Sequence, residues 1–94
     1  MYTVRIEHPV VDVAHWKKTF DADPAKRQQS GVQRYRICRA MDDSKYVTVD
    51  LDFDGLESAD AFVSRMRSIW KQVDGALITG PRARVFEAVE EKAY

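Results

Sequence analysis

The sequence predicts an α+β domain built in the order β-α-β-β-α-β. Three observations predict it. Several segments alternate apolar and polar residues with a period of two. Two stretches carry apolar residues at helical spacing. Ion-pair and apolar matching then fixes how the two central strands meet.

The first strand is "YTVRIEH", residues 2–8. Tyr2, Val4, Ile6 and His8 fall on one face, with Thr3, Arg5 and Glu7 on the other. This is the pattern of a half-buried strand. Pro9 has no N–H and is expected to end its ladder. Asp12 is placed to cap a helix over "VAHWKKTF", whose apolar stripe is Val13, Trp16 and Phe20. Asp23 followed by Pro24 has the form of a second helix start, so "DPAKRQQSG" is expected to be a short helical piece ending near Gly31.

The second strand is "VQRYRICRA" and the third "KYVTVDLDF", joined by the loop "MDDSK". With Ala40 opposite Tyr46, Arg36 meets Asp50 and Arg34 meets Asp52 on one face. On the other, Ile37 meets Val49 and Tyr35 meets Leu51. A slip of one residue sets Arg36 against Val49 and Tyr35 against Asp50, which is worse on both faces. The clearest helix lies within "DFDGLESADAFVSRMRSIWKQVDG". Ala59, Phe62, Val63, Met66, Ile69, Trp70 and Val73 form its stripe, with Asp54 or Ser58 as cap and Gly75 as the expected end. "ALITGPRA" is a connector, and "RARVFEAVEE" is the last strand.

Two right-handed β-α-β crossovers set both helices on one face of a four-stranded antiparallel sheet, the ferredoxin-like arrangement. No helix remains for the other face. Thr3, Arg5, Glu7, Arg34, Arg36, Cys38, Thr48, Asp50 and Asp52 must then meet water or another subunit.

Bulk composition narrows the partners. The 94 residues are 45% hydrophobic and 32% charged, which fits one small globular domain over residues 1–94. Fifteen basic side chains balance fifteen acidic ones, so the basic footprint of a nucleic-acid binder is missing. Cys38 is the single cysteine and cannot form an internal disulfide. No apolar run approaches the ~20 residues that span a bilayer. The start "MYTVRIEHP" lacks an apolar signal region, so a soluble cytoplasmic protein without a membrane partner is expected.

Four patterns carry a family resemblance: "HPV.D...W...FD..P", "GV..YR..R..DD", "V...FD..E.A.AF" and the closing "GP..RVFE". Together they cover nearly the whole chain. They resemble the dimeric α/β-barrel group, which includes antibiotic biosynthesis monooxygenase-like proteins and short proteins labelled "cyclase". The resemblance implies a homodimer whose open sheet faces pack together, and a small-molecule pocket between helices and sheet in each subunit. Members of the group oxidise aromatic polyketides or quinols without metal or flavin, so no cofactor is expected. Others degrade haem with an asparagine, a tryptophan and a histidine. This chain has no asparagine, and its second helix has no histidine.

The candidate catalytic residues are His8 and Tyr35. One neutral histidine at a pocket mouth can act as a general base, because its pKa lies near the working pH. Two histidines, His8 and His15, are too few ligands for a zinc site, and no metal is expected. Trp16, Phe20, Phe53, Phe62, Met66 and Trp70 are the candidate substrate-binding residues. They form apolar stripes that serve as core and can also line a pocket. The arginines at 34, 36, 39, 82 and 84 could bind an anion. Asp50 and Asp52 stand opposite two of them, so they read mainly as cross-strand ion pairs. Cys38 has no histidine expected on its face and reads as structural.

Two functions follow. One is an enzyme acting on a small aromatic or polyketide-like metabolite, by cofactor-free oxidation or by acid–base cyclisation or isomerisation. The other is a non-catalytic dimer that binds a ligand or another protein.

Overall fold

A computed structural model describes residues 1–73 and 78–94. Its elements are β1 (Tyr2–Pro9), α1 (Val13–Asp21), β2 (Arg34–Arg39), β3 (Tyr46–Phe53), α2 (Leu56–Val73) and β4 (Arg82–Glu87). The strands form one sheet in the order β2-β3-β1-β4, every neighbouring pair antiparallel. Non-consecutive neighbours require the two crossovers that α1 and α2 supply. This is the ferredoxin-like α+β fold.

The central hairpin has the register that charge and apolar matching predict. Arg34 pairs with Asp52, Tyr35 with Leu51, Arg36 with Asp50 and Ile37 with Val49, and the Ala40 N–H donates to the Tyr46 carbonyl at 2.9 Å. The core lies between sheet and helices. Val4, Ile6, Val47, Val49, Leu51 and Phe53 are buried beneath Trp16, Ala59, Phe62, Val63 and Trp70. Asp12 caps α1 as expected, its carboxylate accepting from the His15 N–H at 3.1 Å.

The structure corrects the sequence reading at several boundaries. Pro9 does not end the pairing of β1. It still lies opposite Tyr46, and beyond it the Val10 N–H donates to the Lys45 carbonyl at 2.7 Å while Val10 bridges to Ile78. Residues 23–31 form successive turns rather than a helix. Asp23 and Lys26 adopt φ of 57° and 50°, a left-handed backbone that interrupts helical hydrogen bonding. Helix α2 starts at Leu56, so Ser58 lies inside its first turn, and the Asp54 carboxylate accepts from Gln33 Nε2. The Gly75 helix end and the Val73 side chain lie outside what is described. β4 stops at Glu87, and residues 88–94 have no regular secondary structure.

On the open face, Asp50 is paired with Arg5 of β1 rather than with Arg36. The contact is bidentate, with Nε at 2.8 Å and Nη2 at 3.1 Å. Asp52 accepts from Arg34 Nε at 2.6 Å and from the Thr3 hydroxyl at 2.6 Å. Partial burial opposes ionisation of Asp52, but these hydrogen bonds and the charges of Arg34 and Arg36 outweigh it and hold its pKa below the ordinary value. Arg5 and Arg84 both lie over the Phe86 ring, at 5.5 and 5.7 Å. No helix among the described residues is long and apolar enough to cross a membrane.

Candidate functional site

β1 carries His8 on its core face, opposite Val47 of β3. The side chain is 3% exposed and is the buried polar residue of an otherwise apolar core. Its Nδ1 lies 3.1 Å from the Pro9 carbonyl oxygen. A carbonyl only accepts, so Nδ1 carries the ring proton and Nε2 is left as the basic nitrogen. Nε2 has no protein partner among the described residues, while every fully enclosed side-chain nitrogen or oxygen has one. It therefore meets open space. Burial pushes the His8 pKa below 6.5, outweighing the ring's backbone contacts with Pro9 and with His8 itself, which favours the neutral ring.

That space is a cavity of about 90 Å³ between α1, α2 and the sheet. Of the residues singled out from sequence, His8, Trp16, Phe20, Phe62, Met66 and Trp70 line it. An aromatic ladder leads outward along α1. His8 meets Trp16 edge-on at 5.8 Å, Trp16 meets Phe20 at 5.4 Å, and Phe20 meets Tyr35 at 5.1 Å. The i, i+4 spacing of Trp16 and Phe20 on α1 sets the middle contact.

Tyr35 and Phe53 are not part of the cavity wall. Tyr35 lies on the outer strand β2, 46% exposed, and its ring meets the lining residues Phe20 and Arg27. Phe53 is fully enclosed in the core, packed against Phe62 at 5.4 Å. His15 is exposed on α1, whereas His8 is buried. Among the described residues, no three His, Cys, Asp or Glu side chains converge as a metal site.

Arg27 and Thr19 belong to the cavity and were not anticipated. The residue types around Arg27 predict a short helical piece, in which nothing aims its side chain inward. The turn at Asp23 redirects it. The Arg27 N–H donates to Asp23 Oδ1 at 2.9 Å, and its guanidinium lies 3.8 Å over the Phe20 ring. From α2, Arg65 ties the same turn in place through the Ala25 carbonyl and the Ser30 hydroxyl.

Fold and cavity together define a ferredoxin-like domain with one buried, neutral histidine at an apolar pocket. Solved structures share this fold over nearly their full length. A candidate antibiotic biosynthesis monooxygenase from Deinococcus radiodurans matches with TM-score 0.71 and 16% identity, covering 100% of this chain and 98% of that one. A variant of SnoaB, a cofactor-independent oxygenase from Streptomyces nogalater, matches with TM-score 0.70 and 15% identity, covering 96% and 94%. A dimeric ferredoxin-like protein from an uncultured marine organism matches with TM-score 0.71 and 9% identity, covering both chains fully. At such identities the likeness is one of fold. No protein-family model and no curated protein matches the chain.

Proposed function

We propose that the chain is a homodimeric, cofactor-free monooxygenase, or a cyclase or isomerase, acting on a small aromatic or polyketide-like metabolite at the His8 cavity. The observation that carries this reading is the His8 ring. It is anchored through Nδ1, kept neutral by burial, and presents Nε2 to an apolar space. A neutral imidazole so held suits proton abstraction from a substrate carbon or hydroxyl. In the oxidation version His8 takes a proton from a substrate CH2, and the carbanion passes its electrons to dioxygen and bonds it. The peroxide takes the proton back, and loss of water leaves one oxygen on the substrate as a carbonyl. Tyr35 acts as a positioning residue, backing Phe20 and Arg27. The fold shared with a cofactor-independent oxygenase is compatible with this chemistry.

The cavity lies below the ~300 Å³ at which ligand pockets usually begin, being about 90 Å³. A ring enters when Met66 moves, and this half-buried, unbranched side chain is suited to do so. The same small volume supports the second reading, a non-catalytic dimer in which the aromatic ladder is only core.

Oxygen consumption and product formation on a panel of quinols and polyketide mimics separate the two. The enzyme reading expects turnover that His8→Ala abolishes while circular dichroism stays native. Turnover unchanged in His8→Ala removes His8 from the chemistry, and an inert wild type favours the binding reading.

A further inference from the structure

The cavity wall is apolar apart from His8, Thr19 and Arg27. The Trp16 and Phe20 rings stand in sequence between His8 and Arg27. Among the described residues, Arg27 is the one lining side chain with a permanent charge. Its side chain is only 15% exposed, so its guanidinium is largely withdrawn from water. Nη1 donates to the Phe20 carbonyl at 2.8 Å and lies 3.4 Å from Asp23 Oδ1. That oxygen already accepts from the Arg27 backbone N–H. Nε and Nη2 have no partner among the described residues. These two nitrogens form the side edge of the guanidinium, the edge that receives a carboxylate through two parallel hydrogen bonds. Arg27 also borders a surface hollow lined by Asp23, Gln28, Gln33 and Arg34, so its guanidinium adjoins solvent on that side.

We infer that the ligand of this cavity is an apolar acid, its ring or chain against Trp16 and Trp70 and its carboxylate on the Nε/Nη2 edge of Arg27. The far end of such a ligand then lies toward His8 Nε2, so Arg27 decides which end of the molecule meets the base. This rests on the reading of the cavity as a binding site. Asp23 opposes the anion, and Arg27 outweighs it because Asp23 is the more exposed of the two, at 39%.

Benzoate and benzyl alcohol share a ring and differ in charge, and the fluorescence of Trp16 and Trp70 reports their entry. Wild type is expected to bind benzoate about tenfold more tightly, the usual scale of a charge-assisted pair. Arg27→Met should abolish that preference and Arg27→Lys should retain part of it. Arg27 also braces the turn, so Asp23→Asn supplies a second test that leaves the arginine in place. Asparagine accepts the left-handed backbone at this position, where φ is 57°. Asp23→Asn should tighten benzoate and leave benzyl alcohol unchanged. Equal binding of the two probes by wild type, a preference that survives Arg27→Met, or no gain for benzoate in Asp23→Asn would each overturn the inference while leaving the apolar cavity intact. Failure of both probes to bind would remove the cavity reading itself.

Discussion

At the scale of the residue, His8 is the side chain whose environment departs most from its surroundings. Burial lowers its pKa, so the folded state resists protonation while the unfolded chain accepts a proton near pH 6.5. Between those two pKa values the unfolded state binds more protons, and stability therefore rises with pH. The contribution is complete above about pH 6.5 and is lost as pH falls toward the folded pKa. Wild type should thus lose melting temperature on acidification from pH 7 to pH 5 more steeply than His8→Gln. Equal slopes would show that the ring is not desolvated. Asp52 has the opposite chemistry but loses stability in the same direction, below the ordinary carboxylate range, because its folded pKa is depressed by Arg34 and Thr3.

Neighbouring aromatic residues test which side chains are wall and which are core. Phe53 is fully enclosed, so Phe53→Ala should cost about 3–5 kcal/mol in denaturant unfolding. Met66 is only partly buried and borders the cavity. Met66→Ala should cost less than Phe53→Ala and should strengthen binding of an aromatic probe by enlarging the space. Weaker probe binding in Met66→Ala would place the ligand elsewhere. The position of His8 on the core face was legible from strand alternation alone. Its fixed tautomer was not, because the Pro9 carbonyl contact depends on backbone geometry at the strand end.

At the scale of the element, period-two alternation and i, i+4 spacing located all four strands and both helices. They did not resolve the segment between α1 and β2. "DPAKR" has the residue types of a helix start, but Asp23 takes a positive φ and its side chain bonds the Arg27 N–H within a turn. Local composition does not distinguish these outcomes. The difference matters for function, since the turn brings Arg27 to the cavity. Asp12 caps α1 and thereby sets the aromatic ladder, so Asp12→Ala should destabilise the fold by about 1 kcal/mol. Gly31 closes the turn segment with φ of 101°, and an added Cβ would stand 3.4 Å from that of Ser58. Gly31→Ala should cost more than the ~1 kcal/mol that the same exchange can contribute at permissive sites. Chemical denaturation measures both, and a neutral Gly31→Ala would mean the turn relaxes.

At the scale of the whole molecule, the sheet has one covered face and one uncovered face. The uncovered face carries Arg5, Arg34, Arg36 and Arg84 against Asp50 and Asp52, with the Phe86 ring half-exposed among them. The register of this face was readable because both sheet faces agreed on it. The exchange of ion-pair partners was not, because Asp50 could be reached from β2 or from β1 and the hairpin pattern mentions only β2. We propose that two such faces pack together in a homodimer, as the resemblance to dimeric α/β barrels implies. Sedimentation at micromolar concentration should give twice the chain mass, and Asp50→Lys, which sets like charges together on that face, should shift the protein toward monomer. A monomeric wild type would contradict the dimer and leave the cavity argument untouched.

Function at this site requires that a ligand enter beside a neutral, buried His8. The most direct measurement is an NMR titration of the two imidazole rings, without ligand and with an aromatic acid such as benzoate. The His8 ring is expected to titrate below the ordinary histidine value in free protein and to shift on adding ligand, while the exposed His15 ring does not respond to ligand. A His8 ring with an ordinary pKa, or one that stays unmoved when ligand binds, would contradict it.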